Sequence, residues 1–405
     1  MYAKLKSMAA EMLNVTEAKK IILEHAVKLP SVKLPLSQAA GMVLAEDVYA
    51  AINIPAYAQS SMDGYAFSFA DLDPDKPLKI KGVIAAGSND TTALSPGNAV
   101  RIFTGAPVPN GADTVVMQEK TKIENDSLYI KDENMLQGLN VRPKGSEIKA
   151  GDLAVAKDSL LMPAAIGFLA GIGVIEVLVY PLPVVSIIVT GNELQTPGQP
   201  LLLGQVYESN SFSLQAALKQ MHITDVKVYR AEDTLESVKQ VLKEALQKSN
   251  IIFLTGGVSV GDYDFVAAAA EQNGIEKVFH KIKQKPGKPF YFGIKENKLV
   301  FGLPGNPASV LTCFYEYVEP ALRKISKQRT GLQVMQAPIA TSFKKAAGLT
   351  HFLKGHYDGE IVIPLSAQES YRLSSFANAN CLIKINEETT ICEKDDLVEI
   401  HLLPL

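Results

Sequence analysis

Between residues 183 and 330 the chain alternates short, almost wholly apolar runs with longer amphipathic segments. The runs are VVSIIV (184–189), IIFLT (251–255) and LVFG (299–302), with VKVYR (226–230) a further strand that carries Lys227 and Arg230. The helical segments are 210–221, 234–248, 264–273 and 307–325. Strands that are apolar on both faces need cover on both faces, and intervening helices supply it. The pattern predicts an α/β domain with a mostly parallel sheet. It also says where to look for function, because open sheets of this kind bind ligands beyond the carboxyl ends of their strands.

Three of the strand ends run into glycine-rich loops: TGNEL (190–194), TGGVSVGD (255–262) with Gly256 and Gly257, and GLPGNP (302–307). Such a loop lets backbone N–H groups approach an anion, and the helix N-terminus behind it adds a favourable dipole. Three at equivalent ends of one sheet point to a phosphate-bearing ligand. None fits the Walker or dinucleotide patterns, which argues against an ordinary ATPase or NAD enzyme. Glu193, Asp233, Asp262 and Asp264 lie on or just beyond the same ends. Each could cap a helix. Together, beside phosphate loops, they suggest Mg²⁺ held by carboxylates and substrate phosphates. KIKQKPGKP (281–289) adds Lys281, Lys283, Lys285 and Lys288 on a backbone fixed by two prolines, which favours an anion site.

Outside this region, residues 14–28 read as a helix capped by Asn14 or Thr16, and 31–54 alternate more like strands. Residues 78–157 show a β pattern, and 163–172 a short helix after Pro163. After Gly331 no helix is expected, and 333–405 read as a small β-barrel or sandwich. SSMDGYAF (60–67) places Asp63 in a turn beside Gly64. RIFTGAPVPNGAD (101–113) places Thr104 and Gly105 at a strand end. Asp-Gly is a common turn signal, so physical grounds alone mark Asp63 only as a turn residue.

The 40 basic and 43 acidic residues leave a net charge of −3, with no global basic excess to advertise nucleic acid. Cys313, Cys381 and Cys392 are too few and too far apart for a disulfide framework or a zinc ribbon. His351 and His356 fit no metal motif. The apolar stretch 160–190 is interrupted by Glu176, Pro181 and Pro183, which argues against a membrane span. The first residues lack the apolar run of a signal peptide, so a cytoplasmic location is expected.

SSMDGYAF, RIFTGAPVPNGADTVVMQE, TGNEL, TGGVSVGDYD, KPGKPF and GLPGNPAS, in this order, resemble the MoeA family of molybdopterin molybdenumtransferases, and the C-terminal part of gephyrin is similar. SSF at 374–376 fits as well, and the resemblance spans nearly the whole chain. It implies an α/β multidomain protein of four domains. Domain I would comprise 1–55 and 146–182, and an inserted β domain 56–145. A MogA-like molybdopterin-binding domain would follow at 183–330, then a C-terminal β-barrel at 331–405. It further implies an L-shaped homodimer with composite active sites, and Mg²⁺-dependent insertion of molybdate into adenylylated molybdopterin with release of AMP. A MogA-type adenylyltransferase and downstream molybdoenzymes would be transient partners.

Carried over by motif, Asp63, Thr104, Glu193, Asp233 and Asp264 would be catalytic, with Glu193 and Asp264 as metal ligands. Gly256, Gly257, Ser259, Lys281, Lys285, Lys288, Pro304, Pro307, Ser374 and Ser375 would bind substrate. The chain departs from the family at Arg142-Pro143-Lys144, where an Arg-rich run is usual, and at Glu147, where Asp is usual. It also has Leu349 and Lys354 where arginines are usual, which implies weaker anion contacts in the C-terminal domain. Two other readings compete. A MogA-type adenylyltransferase would lack the N-terminal β region and differ after the Gly-Gly pair. A scaffold would not need Asp63, Glu193 and Asp264.

Overall fold

The computed structural model describes residues 12–89, 92–257, 265–329 and 331–404. They form two compact units, one of 12–32, 41–43 and 179–404, the other of 33–40 and 44–178.

In the larger unit the four predicted strands are present as Val185–Thr190, Val226–Ala231, Ile251–Thr255 and Lys298–Leu303. They pair in parallel, with Val185–Thr190 between Val226–Ala231 and Ile251–Thr255, and Lys298–Leu303 beyond the latter. Val185–Thr190 and Ile251–Thr255 are buried at every position, as strands covered on both faces must be. Ile187, Phe253 and Phe301 pack with Leu214, Leu218 and Phe314 on one face. Ile188, Ile252 and Leu254 pack with Val238, Leu242 and Val266 on the other.

Two further strands, Pro289–Lys295 and Glu276–Lys281, extend the sheet antiparallel from Lys298–Leu303. The sequence pattern does not announce them, because EKVFHK interleaves charged and apolar residues and PFYFGIK opens on a proline. The predicted helix 307–325 is also more than one element. Pro307–Cys313 is α-helical, Phe314–Val318 is a π-helical turn, and Glu319–Ile325 resumes the α-helix. Consecutive Glu316 and Tyr317 on the π turn are both fully buried.

The N-terminal helix is Val15–His25. Asn14 caps it in a reciprocal box with Glu17, and Val15, Ala18 and Ile22 are its buried residues.

The C-terminal strands Gln333–Pro338, Thr350–Tyr357, Cys381–Ile385 and Leu397–Leu402 pair antiparallel, and Val362–Pro364 pairs with Thr350–Tyr357. A bridge between Ile339 and Val362 closes the ring around Ile339, Leu353, Ile383 and Ile400, which makes it a barrel. One four-residue helix, Leu373–Phe376, breaks the expectation that helices end at Gly331. Gln284–Lys285 pairs with Thr350 and His351, so the lysine-rich segment forms the edge of the barrel sheet.

The smaller unit holds a six-stranded sheet in the order Thr114–Met117, Gly64–Phe67, Asn98–Ile102, Leu78–Ile84, Ser127–Ile130 and Thr121–Glu124. Tyr65, Phe67, Val116 and Leu128 bury one face, and Ala66, Val100, Ile102 and Val115 the other. The strand-like stretch 31–54 yields only Val32–Pro35, Val43–Leu44 and Val48–Tyr49, with turns between them. Pro163–Gly171 is the short helix. Among the described residues no helix is long and apolar enough to cross a membrane. All three cysteines are free and buried.

Candidate active site

In the smaller unit, Asp63 and Thr104 meet where the strands Gly64–Phe67 and Asn98–Ile102 lie side by side. One carboxylate oxygen, Asp63 Oδ1, accepts from both the Thr104 amide and the Thr104 hydroxyl, each at 2.8 Å. Those two bonds hold the exposed Asp63 carboxyl below its ordinary value of 3.8, with the amide contributing most. The glycine after it is required by space. A Cβ on Gly64 would lie 1.8 Å from the Val116 carbonyl oxygen. Arg101 donates to the Gly64 carbonyl at 2.8 Å, and its guanidinium carbon lies 4.8 Å from the Phe103 ring centre. Arg142 pairs with Gln59 on the strand leading into this turn, and Glu147 donates its amide to the Ile54 carbonyl at 2.9 Å.

In the larger unit the strand-end loops take shape around Thr190. Gly256 has φ +86°, and a Cβ there would lie 2.7 Å from the Thr190 carbonyl oxygen, so no other residue fits without displacing backbone. Asn192 and Asp233 bond reciprocally. The Asn192 amide donates to Asp233 Oδ2 at 3.2 Å, and the Asp233 amide to Asn192 Oδ1 at 3.3 Å. This ties two strand ends together and leaves Glu193 exposed on the loop between. The buried Thr255 hydroxyl oxygen, at the start of the Gly-Gly loop, has no hydrogen-bond partner among the described residues. Exposed carboxylate and orphan hydroxyl are hard oxygen donors of the kind Mg²⁺ takes. Asp262, Asp264 and Ser259 lie outside the described residues. Among the described residues no group of three or more His, Cys, Asp or Glu is placed to hold a metal ion.

Lys285 and Lys288 are exposed on a turn whose backbone is held from beneath. Buried Gln284 donates its amide to the carbonyls of Pro286 at 3.0 Å and Gly287 at 3.3 Å, and accepts from the Tyr317 hydroxyl. Lys283 is turned aside to Glu387, 3.2 Å away, and Lys281 is half-buried. The two exposed lysines line a cleft of about 480 Å³ together with Pro304, Asn306, Leu349 and Ser370. A neighbouring cavity of about 810 Å³ shares Lys285, Leu349 and Ser370 and adds Lys345, His351 and Tyr371. Pro304 is a buried residue of the GLPGNP loop, and Pro307 opens the following helix.

The structure thus brings Lys285, Lys288 and Pro304 together but not the serines. Ser374 and Ser375 line neither cavity, and Ser375 donates its hydroxyl to the Ser366 carbonyl at 2.7 Å. Lys345 donates to the carbonyls of Leu349 and Glu387. Burial, followed by the nearby Lys345 and Lys285 charges, pushes His351 down to about 4. Lys354 is 3% exposed and donates only to carbonyls, so it is not an anion contact. Gln284, Gln368 and Ser370 escape sequence reasoning, since polar uncharged residues in turns carry no distinctive signal.

An α/β domain with glycine-rich strand ends, a barrel that meets it at a lysine-lined cleft, and a separate unit built on a six-stranded sheet define a multidomain α/β protein. The family model described as MoeA N-terminal region (domain I and II) matches residues 13–173, that of a probable molybdopterin binding domain 186–324, and MoeA C-terminal region (domain IV) 336–403. The molybdopterin molybdenumtransferase of Haemophilus influenzae is 34% identical over 405 residues, covering 97% of this chain and 100% of the relative. That of Staphylococcus aureus (strain Mu50) is 32% identical over 384 residues, covering 92% and 91%. Two structures of the molybdopterin biosynthesis MoeA protein from Pyrococcus horikoshii align with TM-scores of 0.79 and 0.74 at 28% identity. They cover 97% of this chain and 99% and 100% of theirs. The chain belongs to the molybdopterin molybdenumtransferase family and is a transferase of molybdenum cofactor biosynthesis.

Proposed function

We propose that the protein inserts molybdate into adenylylated molybdopterin and releases AMP, with Mg²⁺, as a cytoplasmic homodimer with composite active sites. The observation that carries this reading is the cleft where Lys285 and Lys288 face the GLPGNP loop across about 480 Å³. It offers two cations to oxyanions, the feature that molybdate and a phosphoanhydride share. The four-domain division at 56, 146, 183 and 331 is part of the same proposal.

In this reading the glycine-rich loops bind the phosphates, with Gly256 letting its loop pack against the Thr190 carbonyl. Lys285 and Lys288 hold the incoming oxyanion. Asp63, ionised at neutral pH, acts as an orienting group or base and not as an acid, because Thr104 stabilises its charged form. Asp233 sets the shape of the Glu193 loop through Asn192. Glu193, with Asp264, would hold Mg²⁺, which when bound offsets charge on phosphoryl oxygens. Molybdenum need not change oxidation state, so no redox group is required.

The test is AMP release from adenylylated molybdopterin with Mg²⁺, with and without molybdate. Molybdate-stimulated release supports the transferase reading. Tight binding without release would instead make the protein a carrier. Mixing an Asp63→Ala subunit with a Glu193→Ala subunit should restore part of the activity, and no rescue after proven subunit exchange would count against composite sites.

A further inference from the structure

We infer that Lys354 is a positioning residue: its buried ammonium fixes the 366–372 segment as the barrel-side wall of the oxyanion cleft. The inference rests on the reading of that cleft given above.

Lys354 lies on the barrel strand Thr350–Tyr357 and is 3% exposed. Its Nζ donates to three carbonyls of one segment, Ala367 at 2.7 Å, Arg372 at 3.1 Å and Glu369 at 3.3 Å. An ammonium has three protons to give, and this geometry matches them with three acceptors. The backbone of the same residue grips the same segment. Its amide donates to Gln368 Oε1 at 2.9 Å, and its carbonyl accepts from Gln368 Nε2 at 2.8 Å and from the Leu365 amide at 2.9 Å. Ala367 has φ 58°, a left-handed conformation that a residue with a Cβ adopts only when its surroundings hold it there. Its carbonyl is the one closest to the ammonium.

The segment so held reaches across to the Gly-rich loop. The Ser370 carbonyl accepts from the Ala308 amide at 3.0 Å, and the Ser370 hydroxyl accepts from Asn306 Nδ2 at 2.7 Å. Gln368 and Ser370 both line the cleft opposite Lys285 and Lys288. A buried cation in the barrel thereby sets the distance between the barrel wall and the helix that starts at Pro307. The charge does not touch the anion. It shapes the place where the anion sits.

The experiment uses the full chain with Lys354→Met, Lys354→Arg and Ser370→Ala, and with Lys288→Ala as a control on the cleft. Lys354→Met is expected to speed hydrogen exchange across 366–372 and to raise the KM for molybdate in AMP release about tenfold, more than it lowers kcat. Lys354→Arg is expected to recover both in part, since it keeps the buried charge. Unchanged exchange in a folded Lys354→Met protein overturns the inference whatever the cleft binds. Faster exchange with an unaltered KM, where Lys288→Ala raises KM, overturns the role in shaping the site. An unaltered KM in both Lys288→Ala and Lys354→Met overturns the cleft reading and the inference with it. If Lys354→Met does not fold, Ser370→Ala, which removes only the contact to Asn306, carries the same expectation for KM, and an unaltered KM there overturns the latch.

Discussion

His401 Nδ1 lies 2.7 Å from Glu316 Oε1, joining the last barrel strand to the π-helical turn of the α/β domain through a carboxylate with no solvent exposure. The other ring nitrogen, Nε2, faces Glu399 Oε1 at 2.8 Å, and Lys19 of the N-terminal helix pairs with the second Glu316 oxygen. Three stretches far apart in sequence converge on one buried charge.

Burial alone would raise the Glu316 carboxyl, but the charge of Lys19 and the bonds from His401 and Lys19 outweigh it and hold it below its ordinary value of 4.5. The unfolded chain therefore takes up the proton first as pH falls. Stability from this group is present above about 4.5 and is lost as pH drops through the folded value. Glu316→Gln should cost roughly 3 kcal/mol at pH 7, because it removes the one buried charge that half-buried Lys19 and the Nδ1 of buried His401 share. Urea titrations of both proteins should show that difference shrinking below pH 4.5. A constant difference down to pH 3 would show that the lost charge is not its source.

Gly64→Ala should destabilise the protein by about 3 kcal/mol, at the upper end of overpacking costs, since the added methyl meets the Val116 carbonyl oxygen in a paired strand. A thermal midpoint within a degree of the parent would contradict the close approach.

Asp63→Ala should retain the fold and lose turnover, because the side chain is exposed and its hydrogen bonds among the described residues are the pair with Thr104. Thr104→Val keeps the amide bond and removes the hydroxyl, so the acid limb of the pH–rate profile should move upward while the plateau persists. An unmoved acid limb would separate Asp63 from the rate-determining proton state.

His351 should make stability fall between about pH 6.5 and about pH 4. Its folded value is depressed by burial and by Lys345 and Lys285, so the unfolded state binds the proton first in that window. Stability is full above the unfolded value and lost progressively below it. His351→Gln should flatten this portion of the curve, and a curve of unchanged slope would sink the assignment.

The central parallel strands were legible because each is an apolar run long enough to be buried on both faces, whereas the edge strand Val226–Ala231 is largely exposed and carries Lys227 and Arg230. Ile251–Thr255 falls where IIFLT predicts it. The Asp63 turn and the loops at 190–194 and 302–307 were legible as turns, and the roles proposed for them rest on the combined motifs. Glu276–Lys281 was not legible, because an antiparallel strand at a sheet edge tolerates charges that a central one does not, and neither was Pro289–Lys295, an inner strand whose proline is tolerated at its first position.

The sequence by itself determined what repeats locally: strand and helix periods, the capping box at Asn14 and Glu17, and the glycines that end strands. Those follow from neighbours a few residues apart. Only the tertiary structure decided what each charge meets. Lys285 and Lys354 are the same residue type, yet one faces a cleft and the other is spent on three carbonyls. Every residue carries a backbone carbonyl, so composition cannot say which carbonyls will surround a given ammonium. That is settled when the barrel closes and the 366–372 segment folds over it.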